Sequence, residues 1–192
     1  GHAHSDMFSF EMSVNEMMLF VNSGTSTYYD QPFRDNERSS CAHNTVVIPG
    51  YVQCQHWSHF RVASRTKPLD VKFELLDEER GTVSGTVELL GPSPRPKVSR
   101  KFQSIRKGAV VISDEVNGVF PGTCTHFHLH PSVSIVSNDE ERRRVILELS
   151  SAQIVSFEYS KGSLVIEDCL VSRRFNMRQQ SKKLVVSDWS EL

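Results

Sequence analysis

Two-residue alternation of apolar and polar positions runs through most of the chain. At the start, Phe8, Phe10, Met12 and Val14 are separated by Ser9, Glu11 and Ser13, a period that sends one set of side chains to each face of an extended strand. The same reading predicts strands over Met17–Val21, Thr45–Ile48, His59–Ala63, Val71–Leu76, Thr82–Leu89, Val98–Ile105 and Ala109–Val116. It continues over Thr125–His130, Val133–Val136, Arg143–Leu149, Gln153–Tyr159, Ser163–Cys169 and Leu184–Ser187. Turn chemistry falls between them at Lys107-Gly108, Asn117-Gly118, Ser137-Asn138-Asp139 and Lys161-Gly162, where hairpins need residues tolerant of unusual backbone angles. Helical spacing is hard to find. The fold class is therefore all-β: one large antiparallel multi-strand β-sandwich of two or three stacked sheets, with almost no helix. Gly91-Pro92-Ser93-Pro94-Arg95-Pro96 cannot donate to a ladder and reads as a surface loop. The run from Ser23 to Cys41 reads as a second long, irregular connection.

Length and charge narrow the function without naming it. The 192 residues suffice for one substantial core, and a single domain spanning 1–192 is expected. With 22 Lys+Arg against 23 Asp+Glu, and no basic stripe interleaved with aromatics, a nucleic-acid partner is not expected. No apolar run approaches the roughly 20 residues of a membrane helix, so no membrane span is expected, and no signal peptide is visible at the start. Cys41, Cys54, Cys124 and Cys169 are scattered without CxxC spacing and read as free, mostly buried thiols.

Candidate chemistry clusters in the first 45 residues. Gly1-His2-Ala3-His4-Ser5-Asp6 leads into the first alternating segment. Phe20-Val21-Asn22-Ser23-Gly24-Thr25-Ser26-Thr27-Tyr28-Tyr29 follows, and then comes Arg34-Asp35-Asn36-Glu37-Arg38-Ser39-Ser40-Cys41-Ala42-His43-Asn44-Thr45-Val46-Val47. This ordered set resembles the C-terminal domain of the heparinase II/III-like polysaccharide lyases, with its GHxHxD, aliphatic-Asp-x-Gly-Thr-Tyr and Arg-Ser-Thr-x-x-His-Asn-Thr-Val motifs. Weaker echoes reach Lys107–Val116, His126–Pro131 and Arg174-Phe175-Asn176, so the resemblance spans essentially the whole chain.

The resemblance implies a zinc ion held by His4, the residue at position 22 and His43. Here that residue is Asn22 instead of the family's carboxylate, and a neutral amide oxygen makes a weaker zinc ligand set than two imidazoles with a carboxylate. Asp6 is an alternative source of the missing charge or an outer partner for a histidine. Asn22→Asp is expected to raise zinc affinity. The resemblance further implies that His2 faces the substrate and takes a catalytic part in β-elimination, and that Arg34 and Arg38 bind the carboxylate of an acidic sugar. Tyr28 remains as an aromatic against the sugar, whereas Ser26 and Asn36-Glu37 stand where the family carries further aromatics.

Other histidines carry less. His126, His128 and His130 share one strand face, and same-face neighbours about 7 Å apart do not converge easily on one zinc; a solvent-facing or interface row is expected. His56 and His59 flank Trp57 in a segment that could face carbohydrate. Glu140–Arg144 reads as a solvated hairpin edge.

The expected function is that of a C-terminal domain in a uronate-polysaccharide lyase, with an acidic polysaccharide or oligosaccharide as substrate. In the family an N-terminal α/α toroid supplies the tyrosine and the further cleft residues, and none of its helical repeats is present, so the isolated chain is expected to be inactive. The alternative is a non-catalytic carbohydrate-associated module of a capsule or exopolysaccharide assembly protein whose metal site has drifted. A periplasmic or secreted location is expected for a bacterial lyase.

Overall fold

The structure, a computed structural model, describes residues 2–149 and 152–189. In chain order the strands are β1 (Met12–Val14), β2 (Met17–Phe20), β3 (Val46–Val47), β4 (Cys54–His56), β5 (Val62–Arg65), β6 (Pro68–Leu75), β7 (Gly81–Glu88) and β8 (Lys97–Arg106). They continue as β9 (Ala109–Val116), β10 (Cys124–His128), β11 (Ser134–Asp139), β12 (Arg144–Leu149), β13 (Gln153–Glu158), β14 (Ser163–Val171) and β15 (Gln179–Ser187). One α-helix, α1 (Gln31–Arg38), runs into a short 3₁₀ turn at Ser40–Ala42. The all-β, antiparallel sandwich read from the sequence is the architecture found.

A four-stranded sheet of order β14-β15-β10-β3 lies at the centre. Leu19, Phe20, Phe127, Leu129, Leu164 and Leu184 join Val145, Leu147 and Leu149 of β12 in one core, so the β11-β12-β13 sheet packs over β10, β14 and β15. Val46 and Ile48 join Val87, Leu89 and Val98 in a second core, which seats the β6-β7-β8-β9 sheet over β3. Two hairpins, β1-β2 and β4-β5, close the molecule.

Several expected elements shift, each for a physical reason. Regular pairing at the start begins only at Met12, because Phe8 sits at φ 55° and the preceding backbone is satisfied by side chains instead of a neighbouring strand. Met7 donates its N–H to Gln53 Oε1 at 2.6 Å, and Thr45 Oγ1 donates to the Met7 carbonyl at 2.8 Å. Asn44 Nδ2 donates to the Phe10 carbonyl at 2.7 Å, and Arg100 Nη1 donates to the Phe8 carbonyl at 3.0 Å. The expected turn at Ser137–Asp139 lies instead at residues 140–143, because β11 pairs through Asp139 opposite Arg144. The Pro-rich segment is a loop within one hairpin, since Glu88 pairs with Lys97 across it. All four cysteines are free, with Cys54 buried and Cys41 exposed.

The second long connection is not irregular throughout. Pro32 in its first turn is compatible with a helix start, where its missing N–H costs nothing, and α1 buries Arg34, Glu37 and Arg38 on one side. The 3₁₀ turn that follows the helix packs against β3 and β10, on the side that carries His126. His126 and His128 therefore do not form a solvent-facing row: they are 5% and 2% exposed, with His126 Nδ1 3.1 Å from the Cys41 carbonyl. The covering turn, unseen in the strand pattern, accounts for the correction.

Candidate functional site

Asn44 organises the approach to the site. Its side chain is fully buried; Nδ2 donates to the carbonyls of Phe10 and Val21 at 2.7 and 3.1 Å, and Oδ1 accepts the His128 N–H at 2.6 Å. One amide thus spans the opening segment, the end of β2 and the end of β10. The Asn44 N–H donates to Ser9 Oγ at 3.0 Å, and that hydroxyl donates to Asn22 Oδ1 at 2.7 Å.

His4, Asn22 and His43 come together, as their motif positions implied. The His4 and His43 rings are 5.3 Å apart, and His43 Nδ1 lies 3.1 Å from Asn22 Oδ1. An amide carbonyl only accepts, so His43 carries its proton on Nδ1, and its Nε2 is buried without a partner. Arg34 Nη1 lies 3.2 Å from His4 Nε2. A guanidinium only donates, so His4 accepts through Nε2 and bears its proton on Nδ1. Burial above all, then the neighbouring His43 and Arg34 charges, pushes His4 down to about 4. His43 is likewise pushed down to about 4, chiefly by burial. Both rings are neutral at pH 7.

These residues do not fit a zinc ion as they are arranged. Both acceptor positions of Asn22 Oδ1 are taken by Ser9 and His43, and the lone pair of His4 is taken by Arg34. Asp6 is exposed, and among the described residues no three His, Cys, Asp or Glu side chains are grouped to hold a metal.

Arg34 and Arg38 are both 0% exposed, which removes them from direct contact with a polymer arriving from solvent. Arg38 spends its donors on backbone: Nη1 on the Ser58 and His59 carbonyls at 2.7 and 3.0 Å, and Nε and Nη2 on the Ala3 carbonyl at 3.3 and 3.2 Å. With Ser5 N–H donating to the Arg38 carbonyl at 2.9 Å, it fastens the opening segment and the β4-β5 loop to α1. Arg34 reaches the His59 carbonyl at 3.4 Å and lies 5.2 Å from the centre of the Tyr28 ring. Glu37, one turn on, accepts the Ser26 N–H at 2.8 Å and its hydroxyl as well, so the Ser26 that replaces an aromatic is used to close this loop.

The tethers display an aromatic patch. His2, exposed, meets Tyr28 and Phe60 edge-on at 5.7 and 5.1 Å; Tyr28 also meets Phe60 at 5.2 Å and Phe175 at 5.1 Å. Nearby in sequence, exposed Arg61 stacks on Trp57 at 4.7 Å. The motifs singled out His2 and Tyr28. Phe60 and Phe175 lie 32 and 147 residues beyond Tyr28 (60 − 28 and 175 − 28), and only the weak Arg174-Phe175-Asn176 echo pointed to either.

The fold recurs in known proteins. A search of curated protein sequences gives no match. Among solved structures, a heparan sulfate lyase mutant (HepC) from Pedobacter heparinus superposes with a TM-score of 0.76 at 17% identity, over 97% of this chain and 28% of that one. The heparinase III product of the BT4657 gene gives 0.75 at 18% identity, over 100% of this chain and 29% of that one. The likeness establishes a shared fold, and the chain spans less than a third of each of these proteins. A family model, heparinase II/III-like, C-terminal, matches residues 1–189, and the chain therefore belongs to the heparinase II/III-like C-terminal family.

Proposed function

We propose that this domain forms one wall of the cleft of a polysaccharide lyase that breaks an acidic glycan by β-elimination, opposite an α/α toroid domain of the parent protein. The observation that carries the reading is the patch of His2, Tyr28, Phe60 and Phe175. It gathers three aromatic rings and the His2 imidazole on one part of the surface. β-Elimination requires neutralisation of the uronate carboxylate, removal of the C5 proton and protonation of the departing oxygen. In this scheme His2 moves a proton at the cleft surface, Tyr28 and Phe60 flank the sugar, and Arg34 and Arg38 hold those groups in place from behind. Carboxylate neutralisation then falls to groups that reach solvent, Arg61 among them, or to the opposite domain. The family membership and the heparinase III fold match support a polysaccharide substrate.

The test is ultraviolet absorbance of unsaturated uronate, using the parent protein and the isolated chain on heparan sulfate and alginate. The parent is expected to form product and the isolated chain none. In the parent, His2→Ala is expected to lower kcat at least 100-fold, and Phe60→Ala mainly to raise KM. Product from the isolated chain would place a complete catalytic set within these residues. A parent that binds acidic glycan without cleaving it would favour a non-catalytic carbohydrate-associated module, the reading that the amide at Asn22 favours.

A further inference from the structure

We propose that in this protein Arg34 stands in the place of a metal ion, making the His4–Asn22–His43 cluster a metal-independent structural joint. A zinc ion needs unshared pairs from several ligands at about 2 Å, and neutral imidazole has one. His4 gives its pair to Arg34 Nη1 at 3.2 Å. Asn22 Oδ1 accepts from Ser9 Oγ at 2.7 Å and His43 Nδ1 at 3.1 Å. Only His43 Nε2 keeps a free pair among these atoms, and one nitrogen does not hold zinc.

Charge points the same way. Arg34 and Arg38 are permanent cations, both 0% exposed, and a buried guanidinium against His4 repels a divalent cation at the adjoining position. It also performs a metal's mechanical task. A metal would cross-link the opening segment, the end of β2 and the segment before β3. Here Arg34 ties His4 to α1, the Asn44–Ser9–Asn22–His43 chain ties the other two, and Asn22 suits this arrangement because an amide adds no buried charge. The exchange also changes what a single reversion achieves: Asn22→Asp supplies a carboxylate but leaves Arg34 on His4. The inference holds whether or not the protein cleaves a glycan.

The test is titration of the 192-residue chain with zinc chloride in competition with a chromogenic chelator. It is read together with long-range ¹H–¹⁵N spectra of the His4 and His43 rings and with melting in EDTA. The native chain is expected to keep both rings in the Nδ1–H form through one equivalent of zinc, and to melt within about 1 °C with and without EDTA. Zinc taken up elsewhere leaves these resonances unmoved and agrees with the proposal. Asn22→Asp alone is expected to gain less than 10-fold in affinity, and Asn22→Asp with Arg34→Met at least 100-fold, with both rings shifting. Submicromolar zinc binding by the native chain that shifts His4 and His43 would overturn the proposal. So would a gain by Asn22→Asp alone equal to that of the double variant, and the native and single-variant results decide even if the double variant does not fold.

Discussion

His126 shows how a residue's chemistry changes once a loop covers it. Burial first, and then the Lys183 ammonium 3.5 Å from Nδ1, pushes it from 6.5 to about 4; the Cys41 carbonyl and Glu167 oppose this only in part. Cys124 Sγ lies 3.4 Å from Nε2, and the His128 ring is 6.0 Å away. Because the folded value is depressed, the unfolded chain binds the extra proton between about 4 and 6.5. Stability is therefore intact above about 6.5 and falls as pH drops toward 4. From pH 7 to pH 5 this site is expected to cost about 2 kcal/mol. His126→Gln should shrink the difference in denaturation midpoint between those two pH values. An equal loss in native and variant chains would assign the acid sensitivity to other groups. None of this was legible in the sequence, which showed three histidines on one strand face but not the turn at Ser40–Ala42 that seals two of them in.

At the scale of elements, the strands were legible and their partners were not. Alternation located β7, β8, β9, β12 and β13 to within a residue or two because each has one face on a core and the other in water. It failed for Phe8 to Glu11, where the alternation is real but the backbone is held by Asn44 and Arg100 instead of a strand. It also missed α1, an eight-residue helix whose buried side is made of Arg34, Glu37 and Arg38, so no apolar stripe announces it. The contact of the opening segment with β7 shows what such a segment demands of its neighbours. A Cβ on Gly85 would lie 2.5 Å from Phe8 Cζ and 3.3 Å from Val71 Cγ2. Arg100 holds the Phe8 carbonyl, so the backbone that carries the ring is fixed in place and only the ring can turn. Gly85→Ala is expected to cost about 1–3 kcal/mol in urea denaturation. Phe8→Leu in the same chain should recover part of that loss, and full additivity of the two substitutions would show that the ring is not what glycine accommodates.

For the whole molecule, the motifs marked the residues of the histidine cluster, while its wiring came from pairs that one-dimensional spacing does not reveal. Arg100 is the clearest such residue: it is 2% exposed, grips Asp114 with two bonds at 2.6 and 2.8 Å, and donates to the carbonyls of Phe8 and Asn44. Each of these joints has a long reach along the chain. Arg100 to Phe8 spans 92 residues, His126 to Cys41 spans 85, and His128 to Asn44 spans 84. The consequence lies in the order of folding. Closing such loops costs entropy before any contact repays it, so local hairpins such as β8-β9 and β12-β13 form early. The opening segment, with no ladder of its own before Met12, docks after β8 and β10 are in place. Ser9→Ala, which cuts the Asn44–Ser9–Asn22 chain, is then expected to cost about 1–2 kcal/mol. Nearly all of that cost should appear as unfolding about 10-fold faster, with the refolding rate changed less than about 2-fold. A chevron in which refolding slows instead would mean that the segment belongs to the nucleus. If it docks last, the residues bearing the chemistry are also the first to be released, and the cleft wall can come undone while both cores are still intact.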